Sequence, residues 1–246
     1  MTVNNFSIKQ HSGFTLVEMA IVLVIFGLVL SSLLLPLQAQ RDQAFIAQTN
    51  ATLDNAKQAL LGFAQRNGRL PCPATNLGTA TFPDDTGTAN PNGSGACNQL
   101  VGFLPAATLG LQPTDSQGFA LDGWNNRIRY SVTNANANAF TTNNAMNTLG
   151  IAALTPNLRL CVSSTPANCT NDINLTNEAV AVIYSTGASG RMAAGGADEN
   201  ANLDNNNVFI SHDSRENDAN GEFDHITTWV SPYVLYNAMI QAGQLR

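Results

Sequence analysis

Residues 14–37 form an apolar run of 24 positions interrupted only by Thr15, Glu18, Ser31 and Ser32. No other stretch constrains the fold as strongly: a helix over it is about 36 Å long at 1.5 Å per residue, and a hydrocarbon core is about 30 Å thick. The run is therefore expected to cross a membrane with some tilt. The residues ahead of it carry one base, Lys9, and no acid. The positive-inside bias then keeps the N-terminus cytoplasmic and sends everything after Leu37 outward. A secretory signal is cut behind its apolar region at a small-x-small site. Residues 34–36 offer no such site, and the small residue, Gly13, precedes the run instead.

Beyond Pro36 the helical pattern resumes. Phe45, Thr49, Leu53, Ala56, Leu60 and Phe63 recur at spacings of three and four, which places them on one helix face. Asn67-Gly68 supplies a stop and Pro71 follows it. One long helix from Phe14 to about Arg66 is expected, with 14–37 in the membrane and 38–67 packed on a domain spanning 68–246. Residues 70–123 are rich in Gly, Pro, Thr and Asn, and 100–104 is their one apolar run. Strands are expected at 128–132, 158–162, 179–185, 208–211 and 225–230, each β-branched or aromatic and bounded by Asn, Gly or Pro. Together these suggest an α+β fold, an antiparallel sheet laid on the helix. The Asn-rich segment 134–147 is expected as an exposed loop. Ser231-Pro232 reads as the start of a short C-terminal helix that stops at Gly243.

The chain has 246 residues, enough for one membrane helix and one ordinary domain. Its formal charge is −6, and Lys9 and Lys57 are its only lysines. No basic cluster exists to neutralise phosphates, so nucleic acid is not an expected partner. The acidic balance suits an exported domain or a cation site. The cysteines, Cys72, Cys97, Cys161 and Cys169, all follow the apolar run and would lie in an oxidising compartment. Three pairings are possible. Cys72 with Cys97 and Cys161 with Cys169 are favoured because both close local loops, contributing roughly 3.5 and 2.5 kcal/mol on the loop-entropy model. Zinc is disfavoured, since no two cysteines are two residues apart and no histidine lies near them.

The stretch Ser12-Gly13-Phe14-Thr15-Leu16-Val17-Glu18, set at the mouth of the apolar run, resembles the leader of type IV pilins and of the pseudopilins of type II secretion. The resemblance implies that residues 1–13 are a leader removed by prepilin peptidase between Gly13 and Phe14. It also implies methylation of the new Phe14 amine and retention of the helix. Loss of Lys9 would take the charge from −6 to −7. A carboxylate inside a membrane helix costs about 2.5–3.5 kcal/mol on insertion scales. Glu18 is accordingly expected to need a partner, which the resemblance supplies as the Phe14 amine of a neighbouring subunit during assembly.

Three further segments are similar to the major pseudopilin. Asp122-Gly-Trp124-Asn125-Asn126-Arg127-Ile128-Arg129-Tyr130 resembles its Asp-x-Trp-Gly-Asn-x-x-x-Tyr signature, with Asn125 in place of glycine. Here Asp122 can accept backbone amides, Asn125 tolerates left-handed dihedrals and Trp124 can bury its ring. Ser185-Thr-Gly187-Ala-Ser189-Gly190 resembles Ser-x-Gly-Ala-Asp-Gly, and Asp224-His225-Ile-Thr-Thr-Trp229 resembles Asp-Ile-x-x-Trp. In those proteins the loop between the last two motifs binds calcium. This chain departs from them by Ser189 at the aspartate position and by a much longer loop. Eight of its 17 acids fall in residues 198–224, against Arg215 alone. Such density is either solvated or neutralised by a cation. Asp218, Asn220, Glu222 and Asp224 alternate and could present oxygens to calcium.

No nucleophile elbow, phosphate-binding loop or HExxH motif occurs. His212 and His225 flank the acidic loop and are expected to be packed rather than catalytic. The resemblance implies a structural subunit, not an enzyme: a pseudopilin or minor pilin anchored in a bacterial inner membrane with its domain in the periplasm. Its partners would be other pilin-like subunits, prepilin peptidase and the inner-membrane assembly platform. The alternative is a filament-tip adhesin or binding module that uses the Asn-rich and acidic loops.

Overall fold

The computed structural model describes residues 13, 15–75, 86–165, 169, 173–191, 195–218 and 221–246, with the backbone alone at 31–39, 191 and 216–218. The chain forms two compact units, divided between Ala44 and Phe45. Helix α1 (Leu16–Asn67) contributes residues to both and includes Pro36. In the first unit its described side chains from Leu16 to Leu30 are exposed, Leu16 at 91% and Phe26 at 64%. Among the described residues no helix is long and apolar enough to cross a membrane. The membrane span expected over 14–37 is thus not shown by the described residues.

In the second unit α1 becomes the spine of a packed domain. Thr49, Leu53, Ala56, Leu60, Leu61 and Ala64 are buried. Phe45 and Phe63, at the two ends of the expected stripe, are only half-buried. The helix ends at Gly68, whose φ of +65° is the left-handed C-cap geometry and whose N–H donates to Ala64 O at 2.9 Å.

The domain continues with β1 (Val101–Phe103), α2 (Ala106–Leu109), β2 (Arg129–Val132), α3 (Ala135–Asn138) and α4 (Ala145–Leu149). Strands β3 (Leu158–Cys161), β4 (Asn174–Ala179) and β5 (Ala181–Ser185) follow, then helix α5 (Ala197–Leu203). The chain closes with β6 (Val208–Ile210), β7 (Arg215–Asp218), β8 (Gly221–Phe223), β9 (Ile226–Val230) and α6 (Pro232–Gln241). An antiparallel sheet runs β1-β2-β5-β9. Strand β5, Ala-Val-Ile-Tyr-Ser, is buried at every position because both faces of this sheet are covered. On one face Tyr130, Val132, Ala181, Ile183 and Val230 pack with Leu53, Leu60 and Met239. On the other, Val182 and Tyr184 pack with Leu158, Leu160 and Phe209.

The expected strands are present, but not in one sheet. Strands β3 and β6 form a second sheet with β4, ordered β4-β3-β6, in which β3 and β6 run parallel. Alternation marks a strand without naming its neighbour, and the second sheet exists to cover the outward-facing Val182 and Tyr184. The exposed loop expected at 134–147 is corrected: the segment folds into the short turn α3, left-handed at Asn136 and Ala137, and helix α4, and buries Ala139, Phe140, Thr141 and Met146. Its asparagines serve backbone geometry, with Asn136, Asn138 and Asn144 at positive φ. The C-terminal helix α6 starts after Ser231 with Pro232 in its first turn, and buries Leu235, Tyr236 and Met239. The cysteines pair as Cys72–Cys97 and Cys161–Cys169.

Candidate functional site

Two places carry the residues singled out above. The first is the start of α1. Gly13 is exposed, while Phe14 lies outside the described residues. Glu18 is exposed in the first helical turn, and its N–H donates to Thr15 Oγ1 at 3.2 Å. The Thr15 N–H in turn points at Glu18 Oε2, 3.5 Å away. Thr15 and Glu18 thus form a reciprocal capping box across Thr-x-x-Glu. It gives the carboxylate a partner inside its own helix, and favours it electrostatically at the positive end of the helix dipole. Sequence reasoning seeks a partner for Glu18 only in a neighbouring subunit and misses this one, which the Thr-x-x-Glu spacing could have signalled.

The second place is one end of the β1-β2-β5-β9 sheet, where the three internal motifs meet. Asp122 is 1% exposed and accepts the N–H groups of Trp124 at 2.9 Å and Asn126 at 2.7 Å. Its other oxygen accepts Ser185 Oγ–H at 2.6 Å and the Asn126 amide at 3.2 Å. The same Asn126 amide donates to Gly187 O at 2.6 Å, tying the first motif to the second. Asn125 adopts φ 66°, as an Asn in this turn can. Gly123 rests against the Phe45 backbone, which leaves no room for a Cβ, and its N–H donates to Thr49 Oγ1 at 3.0 Å. Trp124 is half-buried and meets Phe45 edge-on, with ring centroids 5.9 Å apart.

Ser189 joins the second motif to the third. Its N–H donates to Asp224 Oδ2 at 2.7 Å and its hydroxyl to Asp224 Oδ1 at 2.9 Å. Gly187 sits so close to Asp224, at φ +61°, that a side chain there would collide with the carboxylate. The acidic segment then divides. Asp204, Asp213 and Glu222 are exposed, whereas Asp198 and Glu199, in the first turn of α5, are 3% and 2% exposed. Asp198 accepts the Ser164 N–H at 2.6 Å and lies 3.2 Å from His212 Nε2. Glu199 accepts the Asp224 N–H at 2.9 Å. Burial pushes its carboxyl up to about 7, and the neighbouring Asp224 charge adds to the rise while its amide opposes it.

Glu199, Asp224 and His225 form a compact group whose ligand atoms lie within 4.8 Å of one another. Glu222 is exposed and outside this group, Asp224 is in it, and the Asp218 and Asn220 side chains lie outside the described residues. His225 is a poor metal ligand here. Asn202 Oδ1 accepts the Ile210 N–H at 2.6 Å and its Nδ2 donates to Ile210 O at 3.0 Å, which fixes the amide orientation. The remaining N–H faces His225 Nδ1 at 3.1 Å, so Nδ1 accepts and the ring proton sits on Nε2. Burial holds His225 down at about 4, with Asp224 opposing and Arg129 reinforcing the shift. Sequence reasoning counts Glu199 in the acidic run but does not bring it, Asn202 or Arg129 to this site, and no local signal in the sequence marks them as its partners.

Residues 8–34 match the prokaryotic N-terminal methylation motif, the signature of type IV pilin and pseudopilin precursors. No curated protein and no solved structure matches the chain.

Proposed function

We propose that the chain is the precursor of a pilin-like structural subunit, either a pseudopilin of type II secretion or a minor pilin. The methylation motif at 8–34 carries this reading, and an α+β domain beyond it accords with a pilin-like subunit. In this reading prepilin peptidase cuts between Gly13 and Phe14, and the new amine is methylated. The apolar residues 14–37 stay in the inner membrane, and the domain lies on the periplasmic side. The subunit then joins other pilin-like subunits through the assembly platform. Glu18 changes partner on assembly, exchanging the Thr15 amide of its own helix for the amine of a neighbour.

Intact mass of the membrane-extracted protein tests the first step: it should lack 13 residues and carry one methyl group. A full-length chain from a strain with active prepilin peptidase, or a cut beyond Leu37, would overturn the reading. Glu18→Ala should still insert yet fail to enter filaments beside the parent chain, as read by crosslinking. Normal incorporation would make the carboxylate incidental. Calcium at the sheet end is part of the proposal, with Asp224 and Glu199 as the carboxylates that would hold it and Ser189 Oγ beside them.

A further inference from the structure

A cavity of about 300 Å³ opens beside the three-motif junction, and its walls carry opposite charges. Phe103, Asn126, Arg127, Arg129, Glu199 and His225 are among its lining residues. The two arginines differ in what holds them. Arg127 is paired with Asp115 through Nε at 2.9 Å, is hydrogen-bonded to Gln117, and lies 4.0 Å over the Phe119 ring. Arg129 lies 4.4 Å over the Phe103 ring. Among the described residues no hydrogen bond or ion pair engages its guanidinium. A guanidinium stacked on an aromatic face keeps its fork of N–H donors in plane and open to a bidentate acceptor.

His225, 5% exposed, lines the same cavity. Asn202 occupies its Nδ1, so Nε2–H is the donor the ring has left. Glu199 lines the same cavity beside His225, its ligand oxygen within 4.8 Å of a ring nitrogen, and its carboxyl can accept an N–H. The volume is at the small end of ligand pockets, which run from about 300 to 1,000 Å³.

We propose that this cavity binds a carboxylate-bearing ligand of amino-acid size, its carboxylate on the Arg129 guanidinium with His225 Nε2–H as a further donor and its N–H directed to Glu199. The ligand is a free amino acid or the C-terminal residue of a peptide, which share this chemistry.

Calorimetric titration of the full chain in detergent, with EDTA present so that no divalent ion at Asp224 contributes, tests the assignment. The probes are acetyl-Ala-Ala with a free carboxylate, the same dipeptide as its C-terminal amide, and free L-alanine. The free carboxylate should bind at least about tenfold more tightly than the amide, because the guanidinium loses its charged acceptor in the amide. Arg129→Met should erase that preference. Binding of alanine but not of the dipeptide identifies a free amino acid, and the converse a chain terminus. Equal binding of acid and amide, no binding of any probe at about 10 mM, or an unchanged preference in Arg129→Met overturns the proposal. Should Arg129→Met misfold by circular dichroism, the acid-against-amide comparison on the parent chain decides alone.

Discussion

Replacing Asp122 by alanine removes one acceptor from four donors at once. Its carboxylate takes two backbone N–H groups, the Ser185 hydroxyl and the Asn126 amide, at distances from 2.6 to 3.2 Å, and is 1% exposed. A hydrogen bond to a charged acceptor contributes about 1.5–3 kcal/mol net, and a buried donor left unsatisfied costs about 1–3 kcal/mol. These terms overlap and do not add in full, so a loss of about 4 kcal/mol is expected, a large fraction of a typical stability of about 5–15 kcal/mol. Asp122→Asn keeps one oxygen for the Trp124 and Asn126 amides but turns an NH₂ toward Ser185 and Asn126, and should lose about half as much. Urea unfolding of the full chain in detergent, followed by Trp124 and Trp229 fluorescence, reads both. An Asp122→Ala chain within about 1 kcal/mol of the parent, at unchanged slope, would refute the reasoning that this carboxylate ties the first two motifs together.

Glu199 and His225 should impose opposite pH dependences. The Glu199 carboxyl is raised from 4.5 to about 7, so the folded chain holds a proton that the unfolded chain releases, and its contribution to stability falls as pH rises through that window. His225 is lowered from 6.5 to about 4, so the unfolded chain holds the extra proton and stability rises with pH between those values. The parent melting temperature should therefore change little between pH 4.5 and 6.5, whereas Glu199→Gln should melt progressively lower as pH falls through that range; parallel curves would rule the pairing out. For calcium, the full chain should melt higher in millimolar calcium than in chelator, and Asp224→Ala should lose most of the difference; a melting curve indifferent to chelator would leave Asp224 and Glu199 as structural acceptors only. Leu60→Ala, at a fully buried position under the sheet, should cost about 2–5 kcal/mol by urea unfolding, and a value below about 1 would place the α1 stripe elsewhere.

Local chemistry wrote much of this molecule directly into the sequence. The stripe through Thr49, Leu53, Ala56 and Leu60, the glycine stop at Gly68 and the Ser231-Pro232 helix start each depend on neighbours within a turn or two, so their spacing suffices. The turn at Asp122 is equally local, its acceptor role following from an aspartate two and four residues ahead of the amides it takes.

What needed tertiary structure is everything that joins distant segments. Residue type and bounding turn residues made a strand of 158–162 but could not assign it to a second sheet parallel to Val208–Ile210, because local composition says nothing about the partner strand. Asparagine content made 134–147 look solvated, whereas Phe140 and Met146 needed a core that the rest of the chain builds. The acidic run looked uniform in one dimension. In three, α5 turns Asp198 and Glu199 inward to accept hydrogen bonds from Ser164 and Asp224, and leaves Asp204 and Asp213 in water. Charge density is a property of sequence, but which charges are buried is decided by which backbone amides the fold brings opposite them.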